Sequence, residues 1–174
     1  MVDSRRRVST HKTERRMMRK ILFGLLILVA SCALSFADTG TLKPYQKGDW
    51  PGLIKAAGQP VVVHFWGVTC TPCAKEMPLW GKFLSQDKDA KVIFIQVDEV
   101  PLGAIKKMLS QANLDAATNF YLNTSFDDYL RYEIDPQWRG ETPMTLLIDK
   151  SGKVVRKTGP INFIELKKLF AKGV

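Results

Sequence analysis

The chain has 174 residues and a formal net charge of +9, yet eight of its 26 Lys and Arg residues fall within residues 1–20, against only Asp3 and Glu14. The basic excess therefore belongs mostly to a leader, which argues against a basic nucleic-acid binder. Residues 38–174 are enough for one domain with a real hydrophobic core and too few for two, and a hydrophobic content of 45% excludes disorder.

Residues 1–20 are basic, residues 21–31 are apolar, and Ser35-Phe36-Ala37 offers a small-x-small cleavage pattern before Asp38, which reads as an export signal over residues 1–37. The uncharged stretch 21–37 also approaches the length of a membrane span, so an uncleaved N-terminal anchor is a second reading, with the basic flank inside and the domain outside. A third reading is carried by Val29-Ala30-Ser31-Cys32, which resembles a bacterial lipobox with Cys32 as a lipidated mature N-terminus. Its rival is Cys32 as one small apolar residue of a signal peptide. Arg15-Arg16-Met17-Met18 is a faint match to a twin-arginine signal. Every version places the domain in a bacterial periplasm or on a membrane facing it, where thiols are oxidised.

Residues 38–48 hold Gly, Pro and polar residues without periodicity and read as a tether, so the domain is expected to span residues 49–174. Asp49 is placed to cap a short helix through Ala57, stopped by Gly58 and Pro60. Val61-Val62-Val63-His64-Phe65 is a β-branched run whose continuous apolar character predicts a central strand buried on both faces. A helix follows from about residue 70 to residue 86, with Pro72 in its first turn and Pro78 inside it, where a kink is expected.

Residues 91–97 predict a second strand and residues 101–112 a second helix with Ile105, Met108 and Leu109 on one face. Residues 120–122 form a short strand candidate and residues 125–132 a short helix. Residues 144–148 make a third main strand, Asp149-Lys150-Ser151-Gly152 turns the chain, residues 153–158 return as a hairpin partner, and residues 161–171 close with an amphipathic helix. This order is that of an α/β domain with a mixed central sheet flanked by helices.

The chemistry lies in Cys70-Thr71-Pro72-Cys73, which follows a buried strand and opens a helix. Structural zinc needs four ligands, and after the leader the only other Cys or His is His64, so no metal site is expected. At a helix N-terminus, free amide donors and the helix dipole favour an anion, which makes Cys70 the candidate nucleophile. Cys73, one turn further in, is the candidate resolving thiol. A passive disulfide is the alternative, although so short a loop contributes little stabilisation.

The run from Phe65 to Pro78, with Trp66-Gly67-Val68-Thr69-Cys70-Thr71-Pro72-Cys73 and then Glu76-Met77-Pro78, resembles the active-site segment of the TlpA/ResA-like thiol-disulfide oxidoreductases, the exported group that includes the cytochrome c maturation thioredoxins. Thr142-Pro143-Met144-Thr145-Leu146-Leu147-Ile148-Asp149 resembles that family's cis-proline strand, and residues 113–132 occupy the place of its extra helix and strand. The resemblance covers residues 59–170. It implies a thioredoxin fold with a small helix/strand insertion, no cofactor, and protein thiols or disulfides as substrates. It also implies a membrane-linked electron donor such as a DsbD/CcdA-like reductase.

By the same resemblance Pro143 is expected to be cis, beside the cysteines, with the Thr142 backbone gripping a substrate strand. Trp66 and Thr69, flanking the approach to Cys70, are taken as substrate-binding. Glu76 either carries protons for the thiols or is a surface glutamate. His64 stands where thioredoxins commonly carry a buried Asp and either relays a proton to Cys73 or is a packed core histidine. Thr69 and Gly67 depart from the pattern, which usually has Trp and Ala there, so substrate docking should differ. Trp50, Trp80 and Trp138 are expected to pack, Trp138 with the further option of lining the substrate groove, and Lys75, Arg131 and Arg139 to be solvated.

The reading that follows is disulfide exchange through Cys70 and Cys73, in the reducing direction by analogy. Its rivals are a copper chaperone that uses the thiolates with His64, a binding module that keeps the fold without turnover, and a peroxidase.

Overall fold

The computed structural model describes residues 42–58 and 60–171; the leader, its cleavage pattern and Cys32 lie outside these. Along the described chain run β1 (Lys43–Tyr45), α1 (Trp50–Ala57), β2 (Val61–Trp66), α2 (Thr71–Gln86), β3 (Val92–Gln96), α3 (Leu102–Gln111), β4 (Thr118–Leu122), α4 (Asp128–Ile134), β5 (Met144–Ile148), β6 (Val154–Thr158) and α5 (Phe163–Ala171). The strands form one sheet in the order β1-β4-β3-β2-β5-β6. β1, β4, β3 and β2 are mutually parallel, and β5 and β6 are antiparallel to their neighbours.

Every residue of β2, β3 and β5 is buried, as the unbroken apolar runs predict for strands covered on both faces. Alternation along β2 sends Val62 and Trp66 into one core, with Cys73, Met77, Trp80 and Phe83 of α2, Ile105 and Leu109 of α3, and Leu166 of α5. Val61, Val63 and Phe65 enter the opposite core, with Leu130 and Ile134 of α4, Trp138, and the half-buried face of α1. Helices thus cover both faces, and each fully buried large aliphatic side chain contributes roughly 1.5–3 kcal/mol of transfer free energy.

The segment expected as a tether belongs, from residue 43, to the domain. β1 pairs with β4, Tyr45 is fully buried, and the Asn123 amide donates to the Tyr45 carbonyl at 2.8 Å. The Tyr45 ring meets Phe120 edge-on at a centroid distance of 6.4 Å. From α4, the Glu133 carboxylate accepts the Gly48 amide at 2.8 Å and the Trp50 amide at 3.1 Å. Three strand residues are too few to show a period, so this strand is defined by its partners alone.

The helix starts differ in their caps. Asp49 occupies the N-cap of α1, but its Oδ2 accepts the preceding Gln46 amide at 2.9 Å instead of a helix amide. Asp127 caps α4 by accepting the Leu130 amide at 3.1 Å, which moves this helix to Asp128–Ile134 from the expected 125–132. α2 continues through Pro78. At Gly81 it approaches the end of α3 so closely that a β-carbon would lie 1.8 Å from the Ala112 carbonyl oxygen.

Candidate active site

β2 delivers the chain to a turn, Gly67 to Cys70, closed by the Cys70 amide donating to the Gly67 carbonyl at 3.4 Å. Cys70 is the N-cap of α2 in an extended conformation, and its Sγ accepts the Cys73 amide at 3.2 Å. A sulfur in this place receives a helix-terminal N–H, the interaction that favours a thiolate once the thiol forms. Cys70 and Cys73 are joined in a disulfide with Cα atoms 5.2 Å apart. Cys70 is half-buried and Cys73 fully buried, so one sulfur faces outward and the other inward.

The Thr142–Pro143 peptide is cis. The antiparallel register pairs Phe65 with Met144, which brings Pro143 level with Trp66 at the strand end leading to Cys70. Two bonds hold this segment from behind: the Gly159 amide donates to the Pro143 carbonyl at 2.8 Å, and the Trp138 indole N–H to the Glu141 carbonyl at 2.9 Å. Trp138 is buried against Phe65 and Phe126, with ring centroids 4.7 and 5.2 Å away. It therefore fixes the proline loop and does not line a groove. Trp80 is also packed, and Trp50 leans on Phe65.

Trp66 does not present a substrate-binding surface: it is 1% exposed and belongs to the core that contains Cys73. Thr69, three residues further on, is exposed but has its hydroxyl committed to Asp98 at 2.8 Å. Lys75 and Arg139 are exposed. Arg131 is not simply solvated, since it donates to the Phe126 carbonyl at 3.0 Å and bonds Asp128.

Below the cysteines lie two buried titratable groups. Glu76, 3% exposed, accepts the Ile161 amide on Oε1 at 2.7 Å. Burial pushes its carboxyl up to about 7, against the Ile161 amide and the Trp80 indole N–H, which both favour the carboxylate. The Trp80 effect is through proximity, since neither Trp80 Nε1 nor Glu76 Oε2 completes a hydrogen bond. His64 is fully buried, and burial pushes its pKa down to about 3, leaving a neutral imidazole. Its Nδ1 lies 2.9 Å from Thr145 Oγ1, and its ring packs on Trp80 and Phe94 at 4.9 and 5.9 Å. His64 Nε2 is 3.9 Å from Glu76 Oε2 and has no hydrogen-bond partner, so it makes no hydrogen bond to a cysteine sulfur.

The structure thus joins Cys70 to Cys73 and places His64 beside Glu76, while the strand register sets Pro143 level with Trp66 at the end of β2. Sequence reading missed Asp98, Thr145 and the Ile161 amide. Asp98 alone had a signal: it follows β3, and two adjacent parallel strands release their chains on the same side of the sheet.

Fold and site together define the thioredoxin-fold class, with a disulfide at a helix N-terminus and a cis-proline at the start of the strand next to the one that leads to it. The chain belongs to the AhpC/TSA family, whose model matches residues 38–159. It is 32% identical over 102 residues to the thiol-disulfide oxidoreductase ResA of a Bacillus cereus strain, covering 58% of this chain and 54% of that one. With ResA of Bacillus subtilis it shares 31% over 101 residues, covering 57% and 52%. The chain spans about half the length of these curated relatives.

Among solved structures it is similar to a secreted Mycobacterium tuberculosis disulfide oxidoreductase homologous to E. coli DsbE, at 17% identity and a TM-score of 0.53 over 68% of this chain and 85% of that one. A thioredoxin-family thiol:disulfide interchange protein of Chlorobium tepidum gives 20% and 0.54 over 68% and 82%. These two likenesses show the fold.

Proposed function

We propose that this chain is an exported thiol-disulfide oxidoreductase that reduces disulfides in protein partners through Cys70 and Cys73. The observation that carries this reading is the disulfide at the start of α2 with one sulfur half-exposed and the other sealed. The named activity of the ResA relatives and the basic, apolar leader support it.

In the dithiol form the Cys70 thiolate attacks one sulfur of a partner disulfide, forming a mixed disulfide and releasing the partner's first thiolate, which takes up a proton. Cys73 then loses its proton and attacks Cys70 Sγ, releasing the second thiolate. The partner gains two electrons and two protons, and the Cys70–Cys73 disulfide remains for a membrane-linked dithiol donor to reduce. The backbone of half-buried Thr142, held beside cis-Pro143, is the natural docking edge for the partner's strand.

Cys73 must deprotonate out of reach of bulk water. Glu76 lies one helical turn further along α2, and with a pKa of about 7 it is suited to receive and return that proton near neutral pH. Neutral His64 stands behind Glu76, so any part it takes in proton transfer runs through that carboxyl.

The test is insulin reduction by the chain with dithiothreitol as donor, together with trapping by Cys73→Ser. Activity is expected to vanish in Cys70→Ser, and Cys73→Ser is expected to accumulate a mixed disulfide on Cys70. Activity that survives Cys70→Ser overturns the mechanism.

A further inference from the structure

Asp98, just beyond β3, faces the turn that carries Cys70. Its Oδ1 accepts the Val68 amide at 2.9 Å, and its Oδ2 accepts the Thr69 amide at 2.7 Å and the Thr69 hydroxyl at 2.8 Å. Gln96 Nε2 bonds Oδ1 from the other side. Gly67 lies against the same carboxylate, where a β-carbon would stand 3.1 Å from Asp98 Cγ. Four donors and a bare glycine thus converge on one half-buried anion. Burial alone would push its carboxyl up, but the Thr69, Val68 and Gln96 donors outweigh that and hold it below the usual carboxylate range.

This carboxylate makes no bond to either cysteine in these contacts, yet it fixes the three residues before the nucleophile. The backbone amides of Val68 and Thr69 cannot leave it without stranding a charged acceptor, and charge-assisted bonds of this kind are about twice as strong as neutral ones. With residues 67–69 fixed, and Cys70 N–H tied to the Gly67 carbonyl, the position of the Cys70 Cα is set from the β3 side as well as by α2. Thr69 contributes its hydroxyl to the clamp, and its own side chain is thereby turned from a partner toward the protein.

We propose that Asp98 is a positioning residue for disulfide exchange: its clamp on residues 67–69 aligns Cys70 Sγ with an incoming partner disulfide. The inference rests on Cys70 being the attacking sulfur. Exchange needs the three sulfurs close to a line while a bulky partner is docked, so a loosened turn penalises a protein disulfide far more than a small alkylating reagent.

The experiment uses the full chain with Cys73→Ser, following modification of Cys70 by mass spectrometry so that Cys32 is not counted. Rate constants are measured for insulin and for iodoacetamide at one pH, alone and with Asp98→Ala, Thr69→Val and both. Asp98→Ala is expected to slow mixed-disulfide formation with insulin by about tenfold or more and alkylation by less than about twofold. Thr69→Val is expected to slow insulin exchange by about threefold on its own and to add nothing in the Asp98→Ala background, since both remove the same clamp. Equal losses with both reagents, an unchanged insulin rate in Asp98→Ala, or a full additive effect of Thr69→Val would overturn the proposal. If the parent exchanges with insulin no faster than free glutathione, the attacking role of Cys70 falls and the proposal with it. A fast parent with an unchanged variant sinks the Asp98 role alone.

Discussion

His64 Nε2 and Glu76 Oε2 stand 3.9 Å apart in a space closed to solvent, and neither atom has a hydrogen-bond partner. Burial moves the two groups in opposite directions, the imidazole down to about 3 and the carboxyl up to about 7. Both displacements favour the uncharged pair, which is what a low-dielectric site selects when no third charge balances it.

This opposition has a measurable signature in stability. Between the ordinary values of 4.5 for Glu and 6.5 for His, the unfolded chain carries Glu76 ionised and His64 protonated, while the folded chain carries both neutral. Folding therefore takes up a proton at Glu76, which makes stability fall as pH rises, and releases one at His64, which makes it rise; the two slopes cancel. Glu76→Gln removes the first slope. The unfolding free energy of the variant, measured in urea, should rise with pH by about 1.4 kcal/mol per pH unit in this window. A variant profile parallel to the parent's would refute the buried neutral pair.

The Cys70 sulfur receives the Cys73 amide at the start of α2. After reduction its thiol should titrate below the free value of about 8.5. Alkylation rate against pH reads this directly, and a midpoint at or above the free-thiol value would dismiss the helix-terminal effect.

Gly81 is where α2 and the end of α3 touch. The β-carbon of Gly81→Ala would meet backbone, the Ala112 carbonyl, which cannot swing aside as a side chain can. The variant should lose about 3 kcal/mol and several degrees of melting temperature. A thermal midpoint within a degree of the parent's would show that the helices separate freely.

Glu133 ties the start of the described chain to α4 through the Gly48 and Trp50 amides. Glu133→Ala leaves both donors without their acceptor and should cost about 1–3 kcal/mol. Hydrogen exchange at residues 48 and 50 should accelerate ahead of exchange in β2 and β3. Unchanged protection at those two amides would mean that β1 alone holds the segment.

Much of the site was legible in residue order. A β-branched run ending in Trp66-Gly67 and followed by Cys70-Thr71-Pro72-Cys73 encodes a buried strand, a turn and a helix start, because burial pattern and capping act over a few residues. Pro143 before the Met144–Ile148 run was readable in the same way, through its resemblance to a cis-proline strand. The tertiary structure decided what lies across from these elements. Tyr45 joins the sheet only because β4 receives it; Trp66 faces the core because helices cover both sides of β2; Asp98 reaches the nucleophile's turn because β3 ends beside β2. Glu76 reads as an ordinary helical carboxylate until the Ile161 amide and the His64 ring enclose it. Local periodicity tells a side chain which face it lies on, whereas the groups it meets there come from residues up to 85 positions away in the chain, and their pairing is settled only by packing.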